Sequence, residues 1–224
     1  MLRAAEGSSA AAGEALNKLC KAYWQPLYAF ARRWGCLPAD AEDVTQGFFA
    51  RLLERNDLAS VGPERGRFRS FLLTSLRHFL TDEWRRGQTL KRGGGQCVIE
   101  LDCEASEHRY LLEPADAVTP EVLFERRWAW TVIERVMVCL RAEYVASGKE
   151  GLFEELKDFL ACKQETPHQE IAARLGIQVS TVAVAVHRLR RRYAEILREE
   201  IGQTVGSPAE VEDEIRHLIA AAGS

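Results

Sequence analysis

Apolar residues recur at three- and four-residue steps along most of the chain, the spacing that lines one face of an α-helix. Phe68, Phe71, Leu72, Leu76, Phe79 and Leu80 keep that rhythm, with arginines between them. Val44, Phe48 and Leu52 keep it within Pro38 to Glu54. Trp128, Val132, Val136 and Leu140 mark another helix, and Leu152, Leu156, Phe159 and Leu160 a further one. Cys97 to Leu101, which reads CVIEL, is the single candidate strand. The pattern predicts an all-α fold: two helical domains joined by a linker, with a short C-terminal tail helix.

The domain limits are read from where the rhythm stops. The stretch RGGGQ, Arg92 to Gln96, breaks any helix, and the segment after it to Thr119 has little periodicity. Pro114 and Pro120 disfavour helix at the residues before them. The expected organisation is a first domain over residues 15–92, a linker over 93–119, a second domain over 120–203 and a tail over 204–224. After Pro208, a stripe of Val211, Ile215, Leu218 and Ile219 predicts an amphipathic tail helix.

Charge sharpens this division. The net charge of the chain is only −3, but the charges are sorted. Arg65 to Arg92 holds eight basic residues against two acids, and His168 to Arg198 holds six arginines against two glutamates. Ile99 to Glu125 has eight acids and one arginine, and Glu199 to Ser224 has six acids and one arginine. Cationic blocks attract phosphate by releasing its counterions. Solvated helix faces would show the same blocks, so charge alone does not decide for nucleic acid.

The second basic block carries a stronger signal. In HQEIAARLGIQVSTVAVAVHRLRRRYAEIL, His168 to Leu197, Ile171, Ala172 and Leu175 form an inward face. Gly176 stands at the helix end, where a left-handed residue suits a C-terminal cap. Ile177 is expected to plug the turn, and Ser180, or Val179, to start the next helix, Ser180 being the better N-cap. Val182, Val186, Leu189, Tyr193 and Ile196 make its buried stripe. Two helices at a tight turn, the second offered to a major groove, satisfy this spacing. Gln178, Ser180, Thr181, His187, Arg188, Arg191 and Arg192 are left for DNA. Ala183 and Ala185 bring no hydrogen-bond donors to that face, which shifts the expected binding toward phosphates and DNA shape. An ordinary helical hairpin with a basic face is the alternative.

In the first basic block, GRFRSFLLTSLRHFLTDEWRR places aromatics and arginines on one long helix. Most of the aromatics are expected in the core, leaving Arg77, His78, Asp82, Arg85 and Arg86 on the other face. Taken in order, DAEDVTQGFF, FRSFLLTSLRHFLTDEWRR, a linker and EIAARLGIQVSTVAVAVHRLRRR resemble a bacterial sigma factor of the sigma-70 family. The likeness is to the small extracytoplasmic-function (ECF) group, which keeps only regions 2 and 4. The acidic tail and long polar linker resemble a subgroup linked to serine/threonine kinases.

The resemblance implies binding to core RNA polymerase, region 2 on the β′ clamp helices and region 4 on the β flap. It implies that Arg65, Arg67, Arg77, His78, Asp82, Arg85 and Arg86 engage and open the −10 element of promoter DNA. His78 stands where the family often has asparagine. The loop RNDLASVGPERGR, Arg55 to Arg67, would capture a flipped base, and the second helix of the tight-turn pair would read the −35 element. In the helix PADAEDVTQGFFARLLE, Asp40, Glu42, Asp43 and Gln46 would dock on the polymerase.

That docking helix has Gly47 where the family usually has glutamate. Phosphorylation of Thr45, which adds about −1.5 to −2 charge, is expected to supply the missing anion and switch docking on, with a kinase as a further partner. An unmodified surface threonine is the alternative.

Other classes find less support. The chain shows no Gly-rich phosphate loop, nucleophile motif or paired catalytic carboxylates, so neither an enzyme nor a cofactor is expected. The six cysteines form no CxxC pair and no histidine completes a ligand set, so buried thiols are expected and no metal. No apolar run nears the ~18 residues of a membrane span, and the opening MLRAAEGSSAAAGEAL lacks a signal-peptide core. A cytoplasmic protein is therefore expected. The competing function is a DNA-binding regulator that shares the tight-turn helix pair but never joins polymerase.

Overall fold

The computed structural model describes residues 9–54, 67–87, 103–111, 118–160 and 167–223. All elements among them are helical. They are α1 (Ser9–Trp34), α2 (Pro38–Glu54), α3 (Phe68–Gly87), α4 (Cys103–Leu111), α5 (Pro120–Ala146), α6 (Glu150–Leu156), α7 (His168–Leu175), α8 (Val179–Gly202) and α9 (Val211–Gly223). Short 3₁₀ turns at Lys157–Leu160 and Pro208–Glu210 follow α6 and precede α9. The candidate strand at 97–101 lies outside the described residues.

The chain forms two compact units, one of Met1–Thr131 with Ile201–Ser224 and one of Val132–Glu200. This division departs from the expected segments in two places. Residues 120–131 join the first unit because Leu123, Phe124 and Trp128 are buried there, with Trp128 beneath the guanidinium of Arg69. The tail joins it too, through Glu214, Leu218 and Ala221.

The first unit is built on aromatic contacts between α1, α2 and α3. Trp24 stacks on Phe49 at 6.3 Å, Phe48 meets Phe79 edge-on at 5.9 Å, and Tyr23 meets Phe68 edge-on at 5.4 Å. Such edge and offset geometries use the ring quadrupole as well as burial. Gly47 sits where α2 approaches α3: a Cβ there would lie 3.4 Å from the Phe79 ring.

The expected linker contains a helix, α4, docked on α1. Gln25 donates to the Ser106 carbonyl at 3.1 Å. Glu107 accepts from Arg32 Nε and Nη2, both at 2.8 Å, and from the Tyr28 hydroxyl at 2.6 Å. Arg32 also lies over the Tyr110 ring. A nine-residue helix is too short to hold itself in water; these tertiary bonds supply what its periodicity lacks.

The second unit buries Val136 and Leu140 of α5, Phe153 and Leu156 of α6, Ile171 and Ala172 of α7, and Val182, Val186, Leu189 and Ile196 of α8. Arg190 donates twice to the Phe159 carbonyl, at 2.9 and 3.2 Å, tying α8 to the turn after α6.

Two outcomes follow from these contacts. A methyl at Gly47 fits at 3.4 Å, so Gly47→Ala should raise stability by about 0.5–1 kcal/mol through helix propensity, read as a higher thermal midpoint. The bond from Arg32 holds the Glu107 carboxyl below the usual carboxylate range. Its contribution is complete above the unfolded-state value and is lost as pH falls through the lowered folded one. Glu107→Gln should therefore lower stability most near neutral pH, with the difference from the parent shrinking as pH falls, so that the acid limb of a pH–stability profile flattens.

Candidate functional site

The surface expected to dock on polymerase starts at Pro38, the first residue of α2, where its fixed φ suits a helix start. Asp40 and Asp43 are exposed and Glu42 is half-buried. Gln46 donates weakly to Glu42 at 3.4 Å. Thr45 departs from expectation. It is fully buried, and its hydroxyl donates to the Ala41 carbonyl at 2.6 Å. That back-bond satisfies the hydroxyl inside the first unit. Thr45 is therefore not a surface residue, and folded α2 offers no kinase its oxygen. Its position was legible as Ala41, Thr45, Phe48, Phe49 and Leu52, a stripe rotated slightly from Val44, Phe48 and Leu52. Gly47 lies against the Phe79 ring, where α2 approaches α3.

On α3, Arg77, His78 and Arg85 are exposed. Arg77 lies 3.8 Å from Glu121 with about half its side chain open, and Asp82 lies 3.6 Å from Arg51. Arg86 lies within α3, and Arg65 lies outside the described residues. Trp84 is 75% exposed beside them, so it is not a core aromatic. An exposed indole among arginines offers a face for stacking.

The first turn of α3 holds what the sequence reading missed. Arg69 is buried, 5% exposed, and donates to Glu214 Oε1 at 2.6 Å and to Glu125. Its guanidinium also lies over the Trp128 ring at 5.0 Å. Arg67 contacts the other oxygen of Glu214 at 3.0 Å. His217 reaches Glu125 at 3.0 Å. The signal was present: Glu214 stands four residues before Leu218 and seven before Ala221, on the face that is buried. Ile219, expected on that face, is 63% exposed.

In the second unit, Gly176 adopts φ 65°, ψ 31°. The Ile177 amide donates to Ala172 and the Gly176 amide to Ala173, the paired bonds of a Schellman cap. This turn sets the geometry between α7 and α8. Ile177 is exposed rather than plugging it. The amides of Thr181 and Val182 donate to the Gln178 carbonyl, so α8 begins at Val179 and Ser180 lies in its first turn, not at its N-cap. Gln178, Ser180, Thr181, His187, Arg188 and Arg191 are all exposed, with Ala183 and Val184 among them. Arg192 is different: Glu143 accepts from its Nη2 at 2.7 Å and its Nε at 2.9 Å, and Glu195 and Glu199 stand within 3.4 Å. It braces α8 on α5 and is not presented freely to DNA. The same bond lowers the Glu143 carboxyl below its usual range.

Among the described residues no group of three His, Cys, Asp or Glu side chains is placed to hold a metal, and no helix is long and apolar enough to cross a membrane. Residues 19–89 match the family model of Sigma-70 region 2, a span that takes in most of α1, all of α2 and all of α3. The matched stretch is under half of the chain, and the likeness is of that stretch to sigma-70 region 2. Neither a curated protein nor a solved structure matches the chain.

Because Thr45 is enclosed, an acidic side chain there should act as a buried charge. Thr45→Glu should cost several kcal/mol, whereas Thr45→Val should stay within about 1 kcal/mol of the parent, as read by urea unfolding. A Thr45→Glu protein as stable as the parent would show that α2 opens readily at this site.

Proposed function

We propose that the protein is a sigma factor of the ECF group, which binds core polymerase through α2 and directs initiation at promoters with −10 and −35 elements. In this reading it works by binding, in the cytoplasm, and performs no catalysis. The observation that carries it is the region 2 match over α1–α3 in a chain that also presents a basic tight-turn helix pair. Exposed Asp40 and Asp43, with Glu42, would meet cationic residues of the β′ clamp. Exposed Arg77, His78, Arg85 and Trp84 suit the strand exchange at the −10 element, where arginines hold phosphates and an aromatic face stacks on an unpaired base. α8 would enter the −35 major groove beside the β flap, with Arg188 and Arg191 on phosphates. Ala183, Val184 and Ala185, one turn earlier on α8, support shape and backbone contacts over base-edge readout. A kinase acting on Thr45 has no place in this reading, since the hydroxyl is enclosed.

Transcription by purified core polymerase from a promoter library, with and without the chain, tests the reading. Chain-dependent transcripts sharing a −10/−35 pattern are expected. Binding to DNA without core-dependent transcripts would instead identify a regulator that never joins polymerase. Within a working system, Arg188→Ala should weaken promoter binding across sequences and reduce the salt slope by about 1, measured by titrations at several salt concentrations.

A further inference from the structure

The hold of α9 on the first unit is centred on charge more than on apolar area. Leu218 and Ala221 are its buried apolar residues, while Ile219 is left open. In the first turn of α9, at the head of the buried face, stands Glu214, only 1% exposed, with Arg69 Nε on one carboxylate oxygen and Arg67 Nε on the other. A guanidinium fork binds carboxylate and phosphate with the same N–H geometry. The two arginines differ in what they would keep if α9 left. Arg69 would retain Glu125 and the Trp128 ring. Arg67, about a third exposed, has Glu214 as the ion-pair partner found among the described residues. Arg67 is also one of the cations set against promoter DNA by the proposed function.

We propose that the Arg67–Arg69 pair is an anion site occupied in turn by Glu214 of α9 and by a promoter phosphate, so that the acidic tail helix is a displaceable occupant holding down promoter affinity. The inference rests on the sigma-factor reading and names a regulation of that same surface. The tail suits this role: five of its charges fall in the short run Glu210, Glu212, Asp213, Glu214 and Arg216, four of them negative, so a released α9 would be repelled by the DNA that replaces it.

The test uses the intact wild-type chain with core polymerase and a promoter fragment. Amide hydrogen exchange over residues 211–223 is compared for the free chain, the core complex and the promoter complex. Exchange about tenfold or more faster in the promoter complex is expected, the mark of a local opening. Protection that stays or deepens when promoter is bound overturns the proposal, whatever mutations do to stability. In parallel, Glu214→Gln keeps the shape and removes the charge, and should bind promoter about three- to tenfold more tightly at moderate salt, the scale of one phosphate contact. Equal or weaker binding by folded Glu214→Gln also overturns it. A wild-type chain that forms no core-dependent promoter complex removes the sigma-factor reading itself, whereas a promoter complex with α9 still protected removes only the displaceable tail.

Discussion

A buried arginine organises the first unit. Arg69 is almost without solvent, and a guanidinium in that position is tolerated only when its donors are used. Glu214 and Glu125 use them, and Trp128 covers the face of the cation. These partners come from α9, α5 and α5, far from α3 in sequence. Removing either carboxylate leaves a desolvated charge, a change usually worth several kcal/mol. The arginine therefore does more than add a contact: it obliges residues 120–131 and the tail to stay with α3. The compact unit is discontinuous in sequence for this reason.

The same economy of charge appears at a lesser scale on α1, where Arg32, Glu107 and Tyr28 seat α4. There the groups keep partial access to water, and their contribution depends on pH in the ordinary carboxylate sense. Together the two clusters explain how an acidic intervening segment and an acidic tail belong to a unit whose third helix is basic. The alternation of basic and acidic blocks along the chain is partly a record of internal pairing. Arg85 and Arg188 are among the cations turned outward after that pairing, while exposed Arg77 and Arg191 keep surface partners in Glu121 and Glu195.

Helices with strong apolar stripes were legible because burial of one face needs a period that sequence displays directly. α3, α5 and α8 carry Leu72 and Leu76, Val136 and Leu140, Val182 and Leu189 where the stripes placed them. The glycine of the tight turn was legible too, since Gly176 has a backbone need that few residues meet. α4 was not, because its helix rests on bonds to Gln25 and Arg32 rather than on its own pattern. Thr45 was misplaced because a hydroxyl reads as surface, although an i−4 carbonyl can satisfy it inside a helix. Glu214 was not picked out for the matching reason: an acid reads as solvent-facing until a distant arginine is known to face it. Candidate cations were legible as a set, but which of them are spent internally depends on long-range partners such as Glu143 and Glu214.

Those two carboxylates invite comparison, because each clasps an arginine that the sequence offered to DNA. The Arg192–Glu143 pair is open to water on both sides. Screening makes such a pair cheap to open, so an approaching phosphate could take Arg192 at the cost of one surface brace between α8 and α5. Glu214 is enclosed and shared between Arg67 and Arg69. Its departure draws on α9 itself, because the carboxylate is buried in the first turn of that helix, at the head of the face that Leu218 and Ala221 continue. A charge contact coupled to an entire element has two arrangements rather than a continuum of them, and that is the physical requirement for a switch. The enclosed clasp, not the more conspicuous surface one, is where binding at one end of the first unit can be registered as movement of the tail.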